Sequence, residues 1–269
     1  MKTEVGVLHF SVIGDSAAYG IGDLDNEAKP RGWAWYVAQN FLDQCRYENY
    51  SRPGAQSDEV LQVQLPRAIG DEPDICAVIV GGNDLLRNGF HPEKLYQNLS
   101  STCRELLSRG AEIVMVELHD PNQLLRLPSL LRRVLKRRVD AVNAVYRKIE
   151  REFDVIIIST RSIADVHNKK NWHIDRMHPG PLGHQILARE ICQQLQGRGW
   201  SVTLPELVDQ PAQPRSKRLI WLVRNGLPWF LKRSLDLLPA MLLLMLLEAG
   251  SIALNQLKPA LPKDLIKVD

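Results

Sequence analysis

The tripeptide GDS at residues 14–16 follows an apolar run, and much later in the chain DRMH at 175–178 sets an aspartate three positions before a histidine. A serine hydroxyl is inert at its free pKa; it becomes a nucleophile when an imidazole within hydrogen-bond reach removes its proton. Ser16 and His178 are those residue types. Asp175 is spaced to hold the imidazole in the tautomer that leaves its other ring nitrogen free to accept. Pro179 disfavours helix at His178, so an extended loop can fold the two side chains onto one another. Attack on a carbonyl builds negative charge on its oxygen, and that charge needs donors. NYSRPGAQS (49–57) offers the backbone N–H of Gly54, VIVGGNDLL (78–86) the side-chain amide of Asn83, and Ser16 its own N–H. By itself GDS is most simply a turn into a helix capped by Asp15 or Ser16. The other groups, each following an apolar run, favour a nucleophile instead.

Such groups need a frame to bring them together. Short β-branched runs at 8–13, 75–80, 113–118 and 155–158 predict strands buried on both faces, with a weaker one around Tyr47. Between them, 33–44, 57–69, 92–108, 128–152 and 181–196 carry helical patterns, and Pro92, Pro128 and Pro181 suit a first helical turn. Strands alternating with helices predict an α/β chain with a five-stranded parallel sheet wrapped by helices. Sheets of that kind place their sites at the carboxyl ends of the strands.

In chain order, GDS (14–16), Gly54, GGND (81–84) and DRMHPGPLGH (175–184) resemble the sequence blocks of the SGNH (GDSL-type) hydrolases, over residues 8–197. The resemblance implies a flavodoxin-like three-layer α/β/α sandwich. It implies Ser16 as nucleophile, His178 as base and Asp175 as its partner, with Ser16, Gly54 and Asn83 forming an oxyanion hole. The implied activity is a serine-dependent esterase or acyl hydrolase working through an acyl-enzyme, with no metal or organic cofactor. The residues around Gly54 depart from the family's second block.

Other polar residues have simpler readings. Asp15 orders its own turn, Asp84 caps a helix starting at Leu85, and His184 packs in the last helix. His119 with Asp120, Trp172 and His173 are expected to border the substrate. His9, His91 and His167 carry no assignment. Two further readings stay open. One is a non-catalytic membrane-surface or partner-binding protein on the same fold. The other is a metal-dependent phosphohydrolase using Asp15, Asn83, Asp84, His119 and His178.

With 34 basic and 31 acidic residues among 269, a net charge of +3 is too balanced to announce a nucleic-acid partner. Cys45, Cys76, Cys103 and Cys192 show no C-x-x-C spacing and read as reduced, structural thiols without a zinc site. No secretory signal is visible, so the expected compartment is the cytoplasm. The basic stretch 126–152 keeps its apolar residues at helical spacing, which predicts a solvated outer face of arginines; attraction to anionic headgroups is the alternative. Residues 1–197 are expected to form the hydrolase domain, 198–217 a Pro-rich linker and 218–269 a helical extension. In that extension Trp221, Trp229 and Phe230 lie among Arg224, Lys232 and Arg233, the composition of an interfacial helix. The run 237–247 supplies about 16 Å of helix against a hydrocarbon core of about 30 Å, and Pro239 and Glu248 interrupt it. Membrane contact through 218–250, packing on the domain and pairing with a second copy all remain open, as does the oligomeric state.

Overall fold

The apolar runs form the strands β1 (Leu8–Gly14), β2 (Cys45–Asn49), β3 (Ile75–Ile79), β4 (Glu112–Val116) and β5 (Ile156–Ile158). In the computed structural model, which describes residues 7–23, 29–87, 89–125 and 127–208, they pair in the order β2-β1-β3-β4-β5, every pair parallel. The helices are α1 (Ser16–Tyr19), α2 (Gly32–Ala38), α3 (Ser57–Glu59), α4 (Leu65–Gly70), α5 (Gly82–Leu85), α6 (Pro92–Ser108), α7 (Ser129–Glu152) and α8 (Pro181–Gly197). Strand order reverses between β1 and β3, so the carboxyl ends of those two strands flank the crevice where such sheets bind ligands.

Both faces of the sheet are apolar, which is why helices cover both. Trp33 and Val37 of α2 and Leu187 and Ile191 of α8 pack on Phe10, Val12, Ala77, Ile79 and Val114. Leu95, Leu99 and Leu106 of α6, with Val142, Val145 and Ile149 of α7, pack on Ile13, Cys76, Val78, Ile113 and Met115. Each such buried side chain contributes roughly 1.5–3 kcal/mol. The result is the three-layer α/β/α sandwich.

Several elements differ from the sequence expectation. The helix expected over 33–44 ends at Ala38, because Phe41 is buried and bridges Val202 in antiparallel fashion. The helix over 57–69 contains a π turn, Val60–Gln64, between α3 and α4. Pro128 caps α7 from outside instead of sitting in its first turn. The arginines of α7 do not all form a solvated face. Arg138 donates to the carbonyls of Leu85 (2.5 Å) and Arg87 (3.0 Å), and Arg147 donates to the buried Glu117 at 2.9 Å.

Within the stretch assigned to the linker, Val202 is buried, the Thr203 N–H donates to the Asn40 carbonyl at 2.8 Å, and the Val208 N–H donates to Gln185 Oε1 at 2.7 Å. Residues 209–217 of that stretch and the extension 218–269 lie outside the described residues. Among the described residues, no helix is long and apolar enough to cross a membrane. Three of the four free thiols, Cys76, Cys103 and Cys192, are buried.

His184 is the buried knot between α8, α2 and the loop after α1. It is 0% exposed, accepts the Trp33 N–H at Nδ1 (3.1 Å) and donates from Nε2 to the Ile21 carbonyl (3.0 Å). That pattern requires the neutral ring, and burial pushes its pKa down to about 4 from an ordinary 6.5. The unfolded chain therefore takes up this proton first, so the contribution is full above pH 6.5 and is lost as pH falls toward 4. His184→Gln keeps one acceptor and one donor but cannot titrate. Urea unfolding of wild type and variant at pH 7 and pH 4.5 should show the variant losing about 2 kcal/mol less over that interval. An equal loss in both proteins refutes the buried neutral histidine.

Candidate active site

The turn after β1 is built around Gly14, whose φ of +146° lies outside the range comfortable for other residues. A Cβ there would sit 2.0 Å from the Ile79 carbonyl oxygen of β3. Both peptide groups of Gly14 are closed by one side chain. Its N–H donates to Gln64 Oε1 at 2.6 Å, and Gln64 Nε2 donates to its carbonyl at 3.0 Å. Asp15 caps α1 by accepting the Ala17 N–H at 2.9 Å and also accepts from the Gly82 N–H. Burial pushes its carboxyl up to about 6 in spite of those donors. The expected ordering role of Asp15 extends beyond its own turn, for it links the strand ends of β1 and β3. Ser16 then opens α1, with its side chain at the carboxyl edge of the sheet.

Ser16 Oγ lies 2.7 Å from His178 Nε2, and His178 Nδ1 lies 2.8 Å from Asp175 Oδ2. The carboxylate fixes the tautomer: Nδ1–H donates to Asp175, which leaves Nε2 to accept the Ser16 hydroxyl proton. Asp175 Oδ1 accepts the backbone N–H groups of Met177 (2.9 Å) and His178 (3.0 Å), locking the loop. His173 Nδ1 approaches the same Oδ2 at 3.1 Å. Burial alone would raise the Asp175 pKa. The close approach of His173, the hydrogen bond from His178 and the charge of both overcome it and hold the carboxyl well below its usual range. A hydroxyl, an imidazole and an ionised carboxylate in line can generate an alkoxide-like nucleophile and store its proton.

The second and third blocks reach this edge by backbone ties. Arg52 N–H donates to the Gly14 carbonyl at 3.1 Å, and the Ala55 N–H closes the Arg52-Pro53-Gly54 turn on the Arg52 carbonyl at 3.0 Å. Gly54 sits in that turn at φ +86°, a conformation that suits glycine after proline. Asn83 lies in α5, one residue after Gly82, the partner of Asp15. Asp84 does not cap its own helix as expected. Its carboxylate accepts the Ser57 N–H (3.1 Å to each oxygen) and the Ser57 hydroxyl (2.6 Å), so it caps α3 and ties the Gly54 loop to the Asn83 helix. With Asp15 and Asp84 both accepting from backbone and hydroxyl groups, the ligand set imagined for a metal does not converge. No group of three His, Cys, Asp or Glu side chains among the described residues is arranged to hold one.

His119, after β4, stacks on Trp172 with ring centroids 3.9 Å apart. Burial and the nearby His178 push its pKa down to about 3, and it bonds the Arg176 backbone. Its neighbour Asp120 is occupied as a cap, accepting the Asn122 N–H at 3.0 Å.

Three site-building residues were not singled out from the sequence. Besides Gln64, Tyr146 exchanges hydrogen bonds with both peptide groups of Val80 (3.1 and 2.7 Å), and Asn143 does the same with Leu118 (2.9 and 2.8 Å). The signal was available: Gln64 and Asn143 are amides on the apolar faces of helices, four residues after Val60 and Val139, where only a satisfied polar group is tolerated.

Residues 12–186 match the model of the GDSL-like lipase/acylhydrolase family. The chain is 27% identical over 187 residues to thioesterase 1/protease 1/lysophospholipase L1 of Escherichia coli, covering 69% of this chain and 82% of that one. It is 30% identical over 131 residues to a GDSL-like esterase of Mycobacterium tuberculosis, covering 46% and 40% of the two chains. The fold matches the crystal structure of a lipase/acylhydrolase from Enterococcus faecalis with a TM-score of 0.56 at 15% identity, over 77% of this chain and 100% of that one. With its four motif blocks at the carboxyl edge of a parallel sheet and most of its length matched, this chain belongs to the GDSL-like (SGNH) hydrolase family.

Proposed function

We propose that the protein hydrolyses carboxylic esters through an acyl-enzyme on Ser16. The 2.7 Å approach of Ser16 Oγ to a His178 ring already oriented by Asp175 carries this reading. Ser16 Oγ attacks the ester carbonyl as its proton passes to His178 Nε2. The negative oxygen of the tetrahedral intermediate is received by the N–H groups of Ser16 and Gly54 and the Asn83 amide. Asp175 stabilises the imidazolium, which returns the proton to the departing alkoxide as the C–O bond breaks. Water, deprotonated by His178, then attacks the acyl carbon and releases the acid and Ser16. His119 and Trp172 border the acyl or alcohol part. Every step uses groups of the chain itself.

We favour lipid acyl esters as the substrate class. The E. coli relative is named for lysophospholipid and thioester hydrolysis. The aromatic and basic residues of 218–250 have the composition of a segment that lies at a lipid surface.

Ser16→Ala should lower kcat for a short p-nitrophenyl ester by about 10⁴-fold or more, with an unchanged thermal melt. It should also lose labelling by a fluorophosphonate. Wild-type turnover by that variant ends the proposal. Asn83→Ala should cost about 10²- to 10³-fold in kcat with little change in KM, as loss of one oxyanion donor does; a pure KM effect would assign Asn83 to ground-state binding. Removing residues 216–269 should weaken sedimentation with anionic liposomes. Undiminished binding would show that the contact lies elsewhere.

A further inference from the structure

Asp175 serves two imidazoles through a single oxygen. Oδ2 stands 2.8 Å from His178 Nδ1 and 3.1 Å from His173 Nδ1. The backbone enforces this sharing. The His173 N–H donates to the His178 carbonyl at 2.9 Å, the Arg176 N–H donates to the His173 carbonyl at 3.0 Å, and Arg176 turns the chain at φ +59°. The antiparallel bridge between Trp172 and Pro179 closes the same loop from outside. His173 is thus fixed on Asp175 by the loop that fixes His178.

We propose that His173 is a positioning residue that both orients the Asp175 carboxylate and sets the pH at which His178 becomes a base. This inference rests on the reading of His178 as the base for Ser16. One carboxylate oxygen can lie against two imidazoles, but the charge it offers to each is shared. A charge on His173, 3.1 Å from the same oxygen, draws on the field that stabilises a proton on His178 and repels that proton directly. Both effects favour loss of the His178 proton at lower pH.

The other ionisable groups around His173 do not replace it. His119, from the loop after β4, and His184, from α8, are both driven neutral by burial. On the same loop the Arg176 guanidinium is bonded to the carbonyls of Lys169 (2.6 Å) and Trp172 (3.5 Å). Asp23, from the loop after α1, is paired with Arg31 at 2.9 Å and accepts the Tyr36 hydroxyl at 2.7 Å. Asp175 is therefore the carboxylate that His173 addresses.

Two variants separate orientation from charge. His173→Ala removes both, whereas His173→Asn places an uncharged amide donor near the position of Nδ1. In both variants the acid limb of kcat/KM should move up by about 0.5–1 pH unit. The titration of the His178 ring, followed by NMR in histidine-labelled protein without substrate, should move with it. His173→Ala should also lose about 3- to 10-fold in kcat at the plateau with KM nearly constant, and His173→Asn should recover most of that loss. An unmoved His178 titration in His173→Asn overturns the proposal, whether or not the alanine variant folds. The NMR shift is independent of turnover. A moved titration in a protein whose Ser16→Ala variant still hydrolyses esters would refute the functional reading and leave the coupling intact.

Discussion

A hydroxyl and an imidazole 162 residues apart in the chain stand 2.7 Å from one another, and the structure around them serves that contact. A deviation of 1 Å at either end would remove it, so the carboxyl edge of the sheet must be rigid. The difficulty is that strand ends have peptide groups for which the ladder provides no partner, and burying such groups unpaired costs about 1–3 kcal/mol each. Three strand ends solve this in the same way. Gln64 closes Gly14, Tyr146 closes Val80 and Asn143 closes Leu118, each side chain bonding both the N–H and the C=O of its residue. One polar side chain thereby ends a strand and sets the direction in which the following loop leaves.

Carboxylates of the same intrinsic acidity are put to different uses by their surroundings. Asp15 and Asp84 are desolvated enough for burial to raise their pKa, and both act as bolts between neighbouring blocks. Asp175 is half-buried, and two imidazoles hold it ionised. Burial and the kind of partner both differ between them. Peptide N–H groups and the field of His178 do not offset the desolvation of the fully buried Asp15, whereas two imidazoles against the carboxylate, which can carry a positive charge, offset it at the less buried Asp175. An ionised carboxylate behind an imidazole is the electrostatic condition for the chemistry proposed at Ser16.

Much of the fold was legible because it depends on local patterns. Strand runs such as 75–80 are apolar on both faces, and helices such as 92–108 begin at a proline and keep one apolar stripe; neither signal needs knowledge of distant residues. Where boundaries moved, a distant partner was responsible. Helix α2 stops early because Phe41 pairs with Val202, more than 150 residues onward, and no window around residue 41 contains that information. Arg138 and Arg147 read as members of a basic outer face, but the carbonyls of Leu85 and Arg87 and the carboxylate of Glu117 draw them inward. Asp84 was readable as a cap, yet the capped helix is α3 rather than its own, because α4 and β3 separate Ser57 from Asp84 in the chain and the sheet brings the ends of β2 and β3 together on either side of β1.

The sequence by itself determined the residue types available for catalysis, their order, and the alternation of strands and helices that delivers each to one edge of a sheet. Those properties follow from side-chain chemistry and from periodicities of a few residues. Only the tertiary structure decided which polar contacts form among them: that Asp15 ties β1 to Gly82, that Asp84 binds Ser57, and that Asp175 is divided between His178 and His173. Hydrogen bonds depend on ångström distances and on ring orientation, and these are set by packing across the whole sandwich.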